Sequence, residues 1–184
     1  MRLLLTATLA GMLVAIPAYA ALSAGSQAPD FSAPASLGGK TFTFSLAAAL
    51  KKGPVVLYFY PAAFTRGCTI EAHDFAAAMD KYKAFGATVI GVSHDPIDKL
   101  VKFSVSECRS KFAVAADENK NIMQAYDAVL DRNPELANRV SYVIAPDGKI
   151  LYSYTDLNPD NHVANTLAAL KEWAARQKPY LAPG

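Results

Sequence analysis

The chain has 184 residues, of which 52% are apolar, and a formal charge of only +2. That length suits one domain whose core needs no metal or disulfide staples. With no basic run and no aromatic-basic stripe, the composition argues against a nucleic-acid partner.

Residues 1–20 read as a secretory signal peptide. Arg2 gives a short positive start, Leu3 to Ile16 is apolar, and Pro17-Ala18-Tyr19-Ala20 ends in an Ala-x-Ala cleavage signal. The alternative is an uncleaved membrane anchor, although the apolar part is short for a span of about 20 residues. Cutting after Ala20 releases residues 21–184 as one exported domain, periplasmic or secreted, with no stable membrane association.

Ala21 to Ala35 reads as an irregular lead-in containing Pro29 and Pro34. Gly38-Gly39 marks a turn, and Thr41 to Phe44 alternates like a short strand. Ser45 can cap a short helix through Leu50, which Gly53-Pro54 stops. Val55 to Tyr60 is a continuous apolar run, the pattern of a central strand covered on both faces, and Pro61 closes it. Helical spacing follows, with Cys68, Ala72, Phe75, Met79 and Tyr82 on one stripe, until Gly86.

Ala87 to Ser93 reads as a second buried strand. A helix from Ile97 to about Ser110 would place Ile97, Val101, Val105 and Cys108 on one inward face. Phe112 to Ala115 follows as a short strand and Asn119 to Tyr126 as a short helix. Arg139 to Ala145 and Lys149 to Tyr154 form two strands joined by the turn Pro146-Asp147-Gly148. A final helix runs from about Asp160 to Gln177. The order is that of a layered α/β domain with one hairpin-joined edge.

Cys68 carries the chemistry. A helix start offers unpaired backbone N–H groups and a partial positive charge, and a thiol held there tends to ionise. Arg66, two residues upstream, can add a full charge. Glu71 reads as a first-turn acid complementing the helix dipole or tethering Arg66. His73 reads as a solvated helix residue, pointing away from Cys68.

The run Pro61-x-x-x-Thr65-x-x-Cys68 resembles the active-site signature of peroxiredoxins. The longer string Phe59-Tyr60-Pro61, Phe64-Thr65-x-Gly67-Cys68-Thr69-x-Glu71 is similar to the bacterioferritin-comigratory-protein type. Three further landmarks occur in the expected order: Ala28-Pro29-Asp30-Phe31, Gly91-Val92-Ser93-x-Asp95, and Arg139-x-x-Tyr142-Val143-Ile144 followed by Asp147-Gly148-Lys149. The resemblance implies a thioredoxin-like three-layer fold, a central mixed β-sheet flanked by helices. It also implies a thiol peroxidase that uses no cofactor, reduces hydrogen peroxide or small organic hydroperoxides, and draws electrons from a thioredoxin-like protein or small thiol. Cys68 would be the peroxidatic cysteine, oxidised to sulfenic acid. Thr65 would hydrogen-bond the thiolate and peroxide, Pro61 would shield the site from water, and Arg139 would stabilise the thiolate and polarise the peroxide.

Many relatives carry a resolving cysteine five residues after the peroxidatic one, where this chain has His73. Others carry it in the helix after the second strand, where Cys108 lies. Cys108 is therefore the candidate to close an intramolecular disulfide, which requires Cα atoms within about 7 Å. Its alternatives are a packed core thiol and a one-cysteine cycle resolved by an external thiol. A protein disulfide oxidoreductase would need Cys-x-x-Cys, and residue 71 is Glu. A metal carrier would use the cysteines with His73, His94 and His162, but Cys68-x4-His73 lacks the tight pairing of structural zinc sites. A chaperone role would not depend on Cys68 at all. The expected assembly is a monomer, or a homodimer through the edge near Cys68.

Overall fold

The computed structural model describes residues 21–177, so the signal-peptide segment lies outside the described residues. Seven strands form one sheet: β1 (Ser32–Leu37), β2 (Lys40–Ser45), β3 (Val55–Phe59), β4 (Thr88–Ser93), β5 (Ala113–Ala116), β6 (Val140–Ile144) and β7 (Ile150–Thr155). Their spatial order is β2-β1-β5-β4-β3-β6-β7. The middle strands β5, β4 and β3 run parallel, and the outer ones pair antiparallel. Five α-helices cover the sheet: α1 (Leu46–Leu50), α2 (Arg66–Ala84), α3 (Ile97–Ser106), α4 (Asn121–Ala125) and α5 (His162–Gln177). This is the thioredoxin-like mixed sheet that the resemblance implies. No described helix is long and apolar enough to cross a membrane.

The alternation of β3 divides the core. Val55, Leu57 and Phe59 pack with Leu46, Met123 and Tyr126 on one face. Val56, Tyr58 and Tyr60 pack with Cys68, Phe75, Phe103 and Leu170 on the other. Every residue of β3 is buried, as expected of a strand covered on both sides.

Three elements differ from the sequence-based expectation. The supposed lead-in contains β1, paired with β2 along its whole length. Pro34 is tolerated because the ladder from β1 to β5 involves only Ala35 and Ser36, so no bond to β5 is asked of Pro34. Helix α3 ends at Ser106, because Arg109 (φ 50°) and Ser110 (φ 55°) take left-handed conformations that stop it. Its buried residues are Leu100, Phe103 and Ser104, whereas Val105 is 49% exposed. Cys108 is therefore buried by the turn after α3 and not by helical phase. Finally, a 3-10 turn, Pro159–Asn161, precedes α5, which starts at His162.

Tyr58 stacks on Phe75 with ring centroids 4.3 Å apart and lies against Gly91 of β4, its register partner. A Cβ on residue 91 would come within 2.7 Å of the Tyr58 ring. Gly91→Ala is expected to lower stability by about 1–3 kcal/mol, measured by urea denaturation.

Candidate active site

Strand β3 delivers the chain to the loop Tyr60–Thr65, and α2 leaves it. Thr65 is the N-cap residue in extended conformation, so Cys68 is the third residue of the helix. Its backbone N–H is one of the four at a helix start with no partner inside the helix. Cys68 is only 1% exposed and shares its buried stripe with Ala72, Phe75, Met79 and Tyr82.

The loop is pinned from below by Asp95. This buried carboxylate accepts hydrogen bonds from Ala63 N–H (2.6 Å) and the Ser93 hydroxyl (2.8 Å), and pairs with Lys99 Nζ at 2.6 Å. Phe64 adopts φ 67° and packs edge-on against Phe103. Pro61 is half-buried at the loop's start. Thr65 is exposed, and its hydroxyl donates to Ala62 C=O at 2.9 Å. That proton caps the loop's own turn, and the side chain neither caps α2 nor donates to Cys68 in this state.

Arg139, just before β6, is 4% exposed and spreads three arms. Nε donates to Leu157 C=O (2.9 Å), Nη1 to Glu71 Oε2, and Nη2 to Cys68 Sγ (3.5 Å). Burial works against the guanidinium's charge, but Glu71 and Cys68 outweigh it, and its pKa shifts upward. Arg66 is exposed, so the expectation that Glu71 tethers it is corrected. Glu71 is fully buried against Arg139 and the helix α5 start, because i to i+3 spacing puts it on the same face as Cys68.

His162 closes the cluster. Its Nε2 lies 2.8 Å from Asp156 C=O, its Nδ1 lies 2.8 Å from Ser141 Oγ, and Nδ1 faces Glu71 Oε1 at 3.7 Å. A carbonyl only accepts, so Nε2 carries the proton. The neutral ring's Nδ1 is then an acceptor, filled by the Ser141 hydroxyl. Burial lowers the His162 pKa, with Arg139 reinforcing it. For Glu71, burial pushes the carboxyl up to about 8, with Arg139 opposing and Asp74 adding a little.

Cys108 is fully buried, free, and in the same core layer as Cys68. Burial, reinforced by Glu107, raises its thiol well above the ordinary range. Between α2 and the turn carrying Cys108 runs a side-chain contact, His73 Nε2 to Glu107 Oε2 at 2.9 Å. His73 is thus not merely solvated, as the sequence suggested. Tyr58 and Tyr60 lie near both sulfurs, and their buried hydroxyls lack hydrogen-bond partners. The Ser93 hydroxyl beside Tyr60 is committed to Asp95. Clefts of about 430 and 500 Å³ lie elsewhere, without Cys68 in their walls.

The sequence suggests other roles for Glu71 and His162, a first-turn acid and a metal ligand, and none for Asp95. Glu71 and Asp95 fell within motif strings, and the helical spacing of Glu71 was a usable signal. His162 had none, because only the tertiary fold brings α5 to this place.

Residues 24–153 match the AhpC/TSA family. The chain is 32% identical to peroxiredoxin Bcp of Escherichia coli K12 over 158 residues, covering 83% of this chain and 98% of the relative. It is 34% identical to chloroplastic peroxiredoxin Q of Triticum aestivum, over 82% of this chain and 67% of that protein. The crystal structure of peroxidoxin BcpB from Mycobacterium tuberculosis superposes with a TM-score of 0.73 at 30% identity, covering 81% of this chain and 96% of that one.

Arg139→Lys keeps the charge, but a single ammonium cannot serve Leu157, Glu71 and the sulfur together. Losing one charge-assisted hydrogen bond of about 1.5–3 kcal/mol should slow alkylation of Cys68 by iodoacetamide at neutral pH roughly tenfold or more. The rate is measured by mass spectrometry of the labelled peptide.

Proposed function

The chain belongs to the AhpC/TSA family and is a peroxiredoxin of the Bcp and peroxiredoxin Q kind, and on that premise we propose that Cys68 is its peroxidatic cysteine, reducing hydrogen peroxide and small organic hydroperoxides. The observation that carries this is the approach of Arg139 Nη2 to within 3.5 Å of Cys68 Sγ, in the first turn of α2. The thiolate attacks one peroxide oxygen, and the O–O bond breaks. Its electron pair leaves with the second oxygen, which takes up a proton to become water or an alcohol. Sulfur is oxidised to sulfenic acid.

Negative charge grows on the leaving oxygen, and fixed donors aimed there lower the barrier. Arg139 and the Cys68 N–H are in position to donate. The Thr65 hydroxyl joins them by rotating its proton away from Ala62 C=O, and Pro61 keeps water from the sulfur. Asp95 and Glu71 position the loop and the guanidinium.

Cys108 then resolves the sulfenic acid. Its thiolate attacks Cys68 sulfur, hydroxide departs with a proton as water, and a disulfide forms. A thiol so raised by burial ionises only on leaving its apolar site. The turn that holds it is suited to opening: two left-handed residues other than glycine, Arg109 and Ser110, store strain of order 1–3 kcal/mol each. The His73–Glu107 pair is a latch on that turn. A thioredoxin-like protein or small thiol reduces the disulfide. If the turn stays closed, an external thiol resolves Cys68 directly. The signal-like residues 1–20 support a working enzyme in the periplasm or outside the cell.

Stopped-flow oxidation of the reduced protein by hydrogen peroxide should be fast and should vanish in Cys68→Ser. Cys108→Ser should accumulate sulfenic acid, trapped by dimedone, and wild type should yield a Cys68–Cys108 peptide. Absence of that peptide, with turnover intact, leaves the one-cysteine cycle. His73→Ala removes a surface contact worth about 0–1 kcal/mol and should speed disulfide closure by up to about fivefold.

A further inference from the structure

The Arg139 cluster contains one cation and two acids. With both Cys68 and Glu71 ionised, a single guanidinium would face two anions in a site almost closed to water. One negative charge would be left over, and an unpaired buried charge is costly.

The two oxygens of Glu71 have different surroundings. Oε2 accepts from Arg139 Nη1. Oε1 is buried and has no hydrogen-bond partner, and it faces His162 Nδ1 at 3.7 Å. That nitrogen has no proton to give, because the ring's proton is used on Asp156 C=O through Nε2, and its lone pair already accepts from the Ser141 hydroxyl. An ionised oxygen opposite an acceptor lone pair is repelled. A neutral carboxyl group leaves no charge stranded there, so the same donorless oxygen costs far less.

We propose that Glu71 is a positioning residue that works as a neutral carboxylic acid in the resting enzyme, which leaves the charge of Arg139 to the Cys68 thiolate. The consequence at sulfur rests on the role given to Cys68, but the protonation state of Glu71 is measurable without turnover.

The neighbours of Glu71 agree. Arg139 favours its ionisation; burial and Asp74 oppose it, and the carboxyl is carried up to about 8. Tyr58 of β3 and Tyr82 of α2 also lie near Glu71 and stay neutral, since burial raises both. His162 meets Glu71, Ser141, Arg139, the Asp156 carbonyl and the Tyr154 ring, 4.8 Å away, and burial holds it neutral. The folded chain then keeps a proton that the unfolded chain releases above the ordinary value of 4.5. Stability contributed by this group is present below that value and declines as pH rises toward about 8. Above that, Glu71 claims part of the charge of Arg139, and the hold on the thiolate weakens.

The test is NMR titration of the reduced protein labelled with carboxyl-13C glutamate and 15N-histidine. One of the five glutamate resonances should remain protonated at neutral pH, titrate near 8, and disappear in Glu71→Gln. The His162 ring should show a protonated Nε2 and a bare Nδ1 across the same range. Alkylation of Cys68 should follow a two-step pH profile in wild type and a single step in Glu71→Gln. Five carboxylates all ionised at neutral pH, or an imidazolium at residue 162, overturn the proposal from wild type alone. A single alkylation step in both proteins overturns the positioning role. Failure to consume hydrogen peroxide, with the titration as described, would instead remove the role given to Cys68.

Discussion

A single buried guanidinium organises this molecule. Arg139 cannot be removed from water without partners, because an unpaired buried charge is costly. Its partners come from separate parts of the chain: Cys68 and Glu71 on α2, and the Leu157 carbonyl in the segment before α5. Each arm of the fork is directional, so satisfying all three fixes the start of α2 relative to β6 and to the segment before α5. Packing alone could tolerate small rotations of α2 on its apolar stripe; this network ties down the turn that carries the sulfur.

The second constraint is at the strand ends. Parallel strands β3 and β4 finish side by side, and each feeds a loop leading to a helix. The β4 loop carries Asp95, which reaches across to the Ala63 N–H of the β3 loop. A buried acceptor thereby satisfies a backbone donor that the turn would otherwise leave unpaired. The loop before Cys68 is held from the neighbouring strand, and the sulfur sits at its end on a rigid element and not on a loop.

What the sequence disclosed follows from the range of each signal. Val55–Phe59 was legible because burial on both faces writes itself as a local apolar run. The stripe from Cys68 to Tyr82 was legible because helical phase is a property of neighbours. Strand β1 was hidden because Pro34 argues locally against a strand, and only the shortness of its ladder to β5 lifts that objection. Helical phase sets Val105 and Cys108 on one inward face, but the left-handed pair Arg109 and Ser110 breaks the helix, leaving Val105 exposed and Cys108 buried in the turn. At the site, Cys68 and Arg139 sit in recognisable strings. The partnership of Glu71 with His162 is a contact between α2 and α5, and no spacing along the chain encodes it.

The two cysteines occupy mechanically different ground within one core layer. Cys68 lies at the start of a 19-residue helix whose buried stripe runs its length, tied down by Arg139. Cys108 lies just past a 10-residue helix, in a turn with two left-handed residues and the half-exposed His73–Glu107 contact. Local opening follows the weakest cooperative unit, and here that is the turn of Cys108. Any bond between the two sulfurs therefore forms more readily by bringing Cys108 toward Cys68 than by unravelling α2, because the second route would first break the arginine's contacts and strand its charge.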